Sequence, residues 1–282
     1  SPLRRGVDED SQAGERVVVG ESGAAELDGQ GALGPGEPGR IDVYSLYLTP
    51  ADSLAVPHSW PIEGSGMPGS SALDPTGDRL VTGSVSSSAF WVIDLHNRTI
   101  ESSHELYQLE DGVNELISVF SDGSQVALMS FNRDEICYLT ADFDCTGTTL
   151  LDNLPEEMGG PIDAVSVGDR TFVLMTLSSW IAEIDNSLGN VNPHFASVGG
   201  SPNQILLAED TLLVVNSTDN NISKIDPGTG AYLGSISLPP GANPWAMAVH
   251  GKLAWVTAYL SNCVYKISLD SGELLGEVCN AE

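Results

Sequence analysis

One pattern is written twice near the end of this 282-residue chain, and it constrains the fold more than anything else in the sequence. The first copy runs Ser201-Pro-Asn-Gln-Ile-Leu-Leu-Ala, Thr211-Leu-Leu-Val-Val-Asn, Ile222-Ser-Lys-Ile-Asp and Tyr232-Leu-Gly-Ser-Ile-Ser-Leu. The second runs Asn243-Pro-Trp-Ala-Met-Ala-Val, Leu253-Ala-Trp-Val-Thr, Val264-Tyr-Lys-Ile-Ser and Leu274-Leu-Gly-Glu-Val. Pro202 and Pro244, like Lys224 and Lys266, stand 42 positions apart. Four short apolar segments repeating at about 40 residues are what a β-propeller blade requires, because each small sheet must bury both faces against its neighbours. The predicted fold class is therefore all-β, a single β-propeller of four-stranded blades.

Read against those two copies, the rest of the chain divides into more degenerate units. Residues 1–14 are polar and form a tail, and 15–282 form the propeller. The blades fall at 15–60, 66–109, 112–154, 159–198, 199–239 and 240–282, which makes six, with seven the alternative. Arg16-Val-Val-Val-Gly matches Arg79-Leu-Val-Thr-Gly, so both are expected as second strands. The first is followed by Gly20–Gly39, an aperiodic Gly/Pro/Ala/Glu stretch read as an insertion loop. Arg40–Leu46 and Ser53–His58 are expected to complete that first blade, which lacks an evident innermost strand. Second strands are continuously apolar (Phe172-Val-Leu-Met, Leu212-Leu-Val-Val), whereas outer ones alternate, as expected for sheets packed on both sides inside and wetter at the rim. Asp-Gly, Asp-Pro-x-x-Gly and Asp-Ser-Gly segments supply the turns.

The formal net charge is −28, with only Lys224, Lys252 and Lys266 as lysines. A chain so acidic repels nucleic acid and anionic membrane surfaces, which removes both as partners. It also lacks a run of about 18 apolar residues, the length of a membrane-spanning helix. Its carboxylates read first as a solvated coat, with convergence on Ca²⁺ or a cationic partner as the sharper alternative. The four cysteines form two local pairs, Cys137 with Cys145 and Cys263 with Cys279, each flanking a turn and neither spaced for zinc or redox catalysis. Two hairpin disulfides imply an oxidising, extracytoplasmic location.

The last two units resemble YVTN-type β-propeller repeats, relatives of NHL and lactonase-like propellers. The resemblance rests on Leu213-Val-Val-Asn-Ser-Thr-Asp-Asn-Asn-Ile-Ser-Lys-Ile-Asp-Pro-Gly-Thr-Gly and on Ala254-Trp-Val-Thr-Ala-Tyr-Leu-Ser-Asn-Cys-Val-Tyr-Lys-Ile. It implies a fold and an extracytoplasmic setting, since such repeats occur in surface proteins, electron-transfer enzymes and lactone hydrolases, and it implies no single reaction.

In a propeller, the loops that lead into innermost strands and those joining second to third strands converge on one face, the default ligand site. Here they bring Glu115, Asp163, Asn203, Gln204, Trp245 and Asn216, with Asn132, Arg133 and Tyr259 nearby. Glu115 and Asp163, with the Asn203 and Gln204 carbonyls, are candidate Ca²⁺ ligands of the kind lactonase-like propellers hold. The bland reading of the same residues is strand caps around a water-filled channel. The histidines are too scattered for a shared site, and no Ser-His-Asp order, phosphate loop or zinc signature is present. The sequence thus points first to a non-enzymatic recognition or scaffold subunit with a protein partner. A Ca²⁺-dependent hydrolase or lyase acting on a small molecule, and an electron-transfer partner docking through acidic patches, are the competing readings.

Overall fold

The computed structural model describes residues 16–22, 40–46, 58–61, 68–84, 88–97, 99–106, 116–145, 147–151 and 159–279. These residues are all β and turn, and they fall into two compact units, Ser1–Ile117 and Ser118–Glu282.

The first unit holds two antiparallel sheets. One is three-stranded: β1 (Arg16–Ser22), β2 (Arg40–Leu46) and β3 (His58–Pro61). β1 pairs in register with β2 from Arg16↔Leu46 to Ser22↔Arg40, so the strand runs two residues past Gly20, and 23–39 lie outside the described residues. Its outer strand is described over His58–Pro61, and 53–57, like the tail at 1–14, lie outside the described residues. The other sheet is four-stranded: β4 (Pro68–Leu73), β5 (Arg79–Ser84), β6 (Ala89–Asp94) and β7 (Thr99–Glu105). Leu80, Trp91 and Ile93 form its buried centre.

The second unit is a stack of four-stranded sheets in chain order. The first sheet contains β8 (Ile117–Ser121), β9 (Val126–Ser130), β10 (Glu135–Tyr138) and a two-residue β11 (Thr149–Leu150). Next come β12 (Pro161–Val167), β13 (Arg170–Met175), β14 (Trp180–Asp185) and β15 (Asn190–Ser197). The third sheet holds β16 (Pro202–Ala208), β17 (Thr211–Asn216), β18 (Asn221–Ile225) and β19 (Tyr232–Ser237). The last holds β20 (Pro244–His250), β21 (Leu253–Ala258), β22 (Cys263–Ser268) and β23 (Leu274–Cys279).

The continuously apolar second strands now have a cause. Successive side chains of a strand point to opposite faces. On β13, Val173 and Met175 pack with Phe120, Ala127, Met129 and Ile136 of the preceding sheet. Phe172 and Leu174 face the other way, onto Ile205, Leu212 and Val214 of the following one. β17 repeats this: Leu212 and Val214 look back, and Leu213 and Val215 look forward onto Met247, Ala254 and Val256. A strand buried on both faces cannot alternate polar and apolar. Truncating one such residue, Leu174→Ala for instance, removes contacts on a face that cannot collapse, at a cost of about 2–5 kcal/mol.

The turns use acid as structure. Asp226 Oδ1 accepts the N–H groups of Gly228 (2.7 Å) and Thr229 (2.9 Å), and Asp185 Oδ1 those of Ser187 and Leu188 (both 3.0 Å). Asp122 does the same for Ser124 and Gln125. A share of the negative charge is therefore Asx-turn chemistry. At Gly230, φ is +72° and a Cβ would strike the Phe195 carbonyl oxygen, so only glycine closes that turn.

Both cysteine pairs are disulfides. Cys263 and Cys279 are direct cross-strand partners on β22 and β23. Cys145 instead lies opposite Leu139, two residues beyond Cys137, so this bond crosses a small loop diagonally. Two disulfides fit an oxidising, extracytoplasmic environment.

Candidate functional site

Antiparallel pairing gives every sheet of the second unit two ends. Turns joining first to second and third to fourth strands lie at one, here the turn end. Turns joining second to third strands, and the crossings from one sheet to the next, lie at the other, the crossover end. Three successive inner strands begin at the crossover end with the same irregularity. Pairing shifts register between Pro161 and Asp163, between Pro202 and Gln204, and between Pro244 and Ala246. Each shift leaves one extra residue: Ile162, Asn203 or Trp245. A bulge re-aims the side chain it carries, and such bulges gather beside binding sites. The prolines fit because the first position of a strand needs no donor.

In two of the three, the residue after the extra one reaches forward to the next sheet. Asp163, buried, accepts the Ile205 N–H on Oδ2 at 3.1 Å. Gln204 accepts the Met247 N–H on Oε1 at 2.5 Å. The third member of the series is Ala246, which has no acceptor to offer. Asn203 Nδ2 donates to Ser217 Oγ, which in turn donates to the Pro244 carbonyl at 2.6 Å. The turns add further clips. Asp134 takes the Gly159 and Gly160 N–H groups at 2.8 and 2.7 Å, and Asn220 Oδ1 takes that of Asn243 at 2.8 Å. Asp134 and Asn220 occupy left-handed backbone, at φ +52° and +51°, where Asp and Asn are the least strained of the non-glycine residues.

Against this frame the expected site residues separate. Asn203, Gln204, Asp163 and Trp245 come together along the crossover end. Asn216 does not: it is fully buried, and its Nδ2 faces Asn221 Oδ1 (2.7 Å), Ser223 Oγ (2.9 Å) and the Val214 carbonyl (3.3 Å). Its amide packs so closely on Gly199 that a Cβ there would lie 2.7 Å from Asn216 Cγ. Glu115, the other expected Ca²⁺ ligand, lies outside the described residues. Among the described residues no three His, Cys, Asp or Glu side chains converge as a metal site. His194 packs against Trp180 with ring centroids 4.8 Å apart, and His250 is exposed at the end of β20.

Over the last three sheets, the described surface at the crossover end is apolar and nearly uncharged. Trp245 is 45 % exposed, Tyr259 71 % and Leu260 66 %, and Leu177 is exposed on the equivalent turn of an earlier sheet. The Tyr259 N–H donates to the Asn243 carbonyl at 2.9 Å, which sets that turn beside the residue preceding Pro244 and Trp245. Among the described residues of the crossover-end connections of the last three sheets, Asp219 is the only charged one, and it accepts the Gly200 N–H at 2.9 Å. The turn-end connections of the same sheets carry Asp169, Glu209, Asp210, Asp226, Asp270 and Glu273 against the single Lys252. Lys252 bonds Asp270 at 2.8 Å, and that contact raises its pKa. The sequence singled out Trp245 and Tyr259 but missed Leu260 and Leu177. Their signal was positional: each sits in a second-to-third-strand turn whose counterparts are Ser, Thr and Asn.

Comparison with known proteins assigns the class. The structure is similar to virginiamycin B lyase from Staphylococcus aureus, with a TM-score of 0.69 and 14 % identity over 86 % of this chain and 82 % of that one. It is similar to a chain of a nidogen/laminin complex, with a TM-score of 0.61 and 14 % identity over 85 % of this chain and 90 % of that one. It also resembles a dihydro-heme d1 dehydrogenase, with a TM-score of 0.58 and 14 % identity over 87 % of this chain and 53 % of that one. These are β-propellers, and the all-β chain described here has the β-propeller fold. At such identity the likeness carries the fold and no activity. No protein-family profile matches the sequence, and no curated protein matches it either.

Proposed function

We propose that this protein is an extracytoplasmic β-propeller of the YVTN type that works as a recognition or scaffold subunit, holding a protein partner at its crossover end. One observation carries the reading. On a chain of net charge −28, the surface around Trp245, Tyr259 and Leu260 is the part of the last three sheets from which charge has been removed. Protein interfaces are distinguished by that combination: charged residues depleted at the centre, and aromatic anchors supplying most of the binding energy. The forward clips from Asp134, Asp163, Gln204 and Asn220 hold the surface on rigid strands, which lowers the ordering cost of binding. The two disulfides and the Ala254-Trp-Val-Thr repeat support the extracytoplasmic and YVTN-type parts of the proposal.

The test is purification of the tagged chain from its native source, beside the Trp245→Ala/Tyr259→Ala double variant and a turn-end variant, Asp210→Asn. A partner in fixed stoichiometry is expected with the wild type and Asp210→Asn, and is lost with the double variant. Recovery of the wild-type chain alone, as a monomer, would sink the proposal.

A further inference from the structure

Each inner-strand bulge of the second unit brings an extra residue and the one after it to the crossover end. The first pair is Ile162 and Asp163, and the last is Trp245 and Ala246. Only the middle pair, Asn203 and Gln204, consists of two carboxamides. Both are half-buried, and both are tied to the segment that carries Trp245. A carboxamide has an acceptor oxygen and an amino group with two donors, so one partner settles which way round it lies. The Met247 N–H can only donate, so Gln204 meets it with Oε1 and keeps Nε2 in hand. The Ser217 hydroxyl gives its proton to the Pro244 carbonyl at 2.6 Å, so Asn203 meets it with Nδ2 and keeps Oδ1. Among the described residues neither Gln204 Nε2 nor Asn203 Oδ1 has a hydrogen-bond partner, and neither is closed off from solvent. One donor group and one acceptor, each held in orientation from behind, thus stand beside an exposed indole.

We infer that Asn203, Gln204 and Trp245 read the backbone of an extended peptide segment of the partner. Asn203 Oδ1 accepts a peptide N–H, Gln204 Nε2 donates to a peptide C=O, and the Trp245 ring takes an adjoining apolar side chain. The inference rests on the partner-binding role proposed for the crossover end, and it narrows the occupant from a folded face to an unfolded stretch of chain. A peptide group offers one donor and one acceptor, and the two carboxamides offer the converse set. A carboxylate in their place would leave Asn203 Oδ1 unmet, and an ammonium would leave Gln204 Nε2 unmet. Because the carboxamides are fixed before binding, little ordering is lost when the peptide arrives. Charge agrees with the assignment. Asp219, the only charged residue described in these connections, is bonded to the Gly200 N–H, so the site itself calls for an uncharged segment. The net charge of −28 around it favours Lys or Arg on that segment's flanks.

Selection of random phage-displayed dodecapeptides against the full chain tests this, with enriched peptides resynthesised and titrated by fluorescence polarisation. Peptides with an uncharged, apolar centre and basic flanks are expected. Methylating a single backbone nitrogen in that centre should weaken binding about tenfold or more, because it removes the N–H that Asn203 accepts. Gln204→Glu keeps an acceptor for the Met247 N–H, and hence the fold, but puts an acceptor where the free donor stood. It should weaken the same peptides about tenfold or more while its denaturant midpoint stays near that of the wild type. A role confined to joining the sheets would leave both results unmoved. Peptides that need Trp245 yet tolerate Gln204→Glu and methylation at every backbone nitrogen overturn the inference and leave partner binding standing. A selection that enriches nothing over the Trp245→Ala chain overturns it as well. These titrations use the isolated chain, so their outcome is distinct from recovery of a partner from the native source.

Discussion

The same strands of the second unit end in two chemistries, and the contrast explains both the acidity and the candidate site. At the turn end, Asp122, Asp185 and Asp226 satisfy N–H groups of their own turns, two or three residues on. Asp185 and Asp226 cap themselves and owe nothing to the next sheet. At the crossover end, the equivalent polar atoms satisfy N–H groups far along the chain: Asp134 those of Gly159 and Gly160, Gln204 that of Met247. Local caps sit in water, where carboxylate charge costs little. Long-range clips are buried or half-buried, where only a few fully bonded polar groups are tolerated. Charge therefore collects at one end, and the other is left free for Trp245, Tyr259 and Leu260. In the last three sheets the described acidic residues gather at the turn end, and the site lies at the other.

Breaking a crossover clip should then hurt far more than breaking a turn. Asp134→Ala would strand two buried N–H donors at once, and a loss of about 2–4 kcal/mol is expected in denaturant unfolding. A loss below about 0.5 kcal/mol would mean that water or another group serves Gly159 and Gly160 equally well, and the distinction between the ends would weaken. Gln204→Ala removes the acceptor of one N–H, that of Met247, with about 1–2 kcal/mol expected from the same measurement. Gln204→Glu keeps the acceptor and should recover most of it.

Strand identities and turns were legible in the sequence because their causes are local: Phe172-Val-Leu-Met announces a two-face burial, and Asp226-Pro-Gly-Thr-Gly announces its own cap. Where local causes weakened, boundaries moved. β1 runs to Ser22 although Gly20 looked like its end, because strand pairing with Arg40 continues past a glycine. The Cys137–Cys145 disulfide was legible from its place around a turn, but its diagonal course was not, because β10 ends at Tyr138 and the loop folds back on Leu139. The candidate site was half legible. Trp245 and Asn203 followed from the repeat and from loops that lead into innermost strands, but Asn216 occupies the matching place on β17 and turns inward, onto Asn221 and Ser223. Nothing near Gln204 signals that its side chain serves a residue 43 positions away. That information lies in the packing of one sheet on the next.

The smaller effects lie at the turn end and sharpen the comparison from the other side. Asp226→Ala leaves Gly228 and Thr229 to water, which already reaches them, so a loss of about 0.5–1 kcal/mol is expected in denaturant unfolding. Acid should find these turns selectively. Hydrogen bonds from Asn97 hold Asp94 below the usual carboxylate range, and the Ser187 hydroxyl, with the Ser187 and Leu188 amides, does the same for Asp185. Each group binds its proton less readily folded than unfolded. Its contribution is therefore present above the unfolded pKa and disappears as pH falls through the lower folded value. Asp185→Asn, which cannot titrate, should be less stable than the wild type at neutral pH and draw level with it below that folded pKa. The check is denaturant unfolding of the two proteins at a series of pH values. If their separation persists undiminished into strong acid, Asp185 acts through shape rather than charge, and the turn end has no electrostatic character of its own to set against the crossover end.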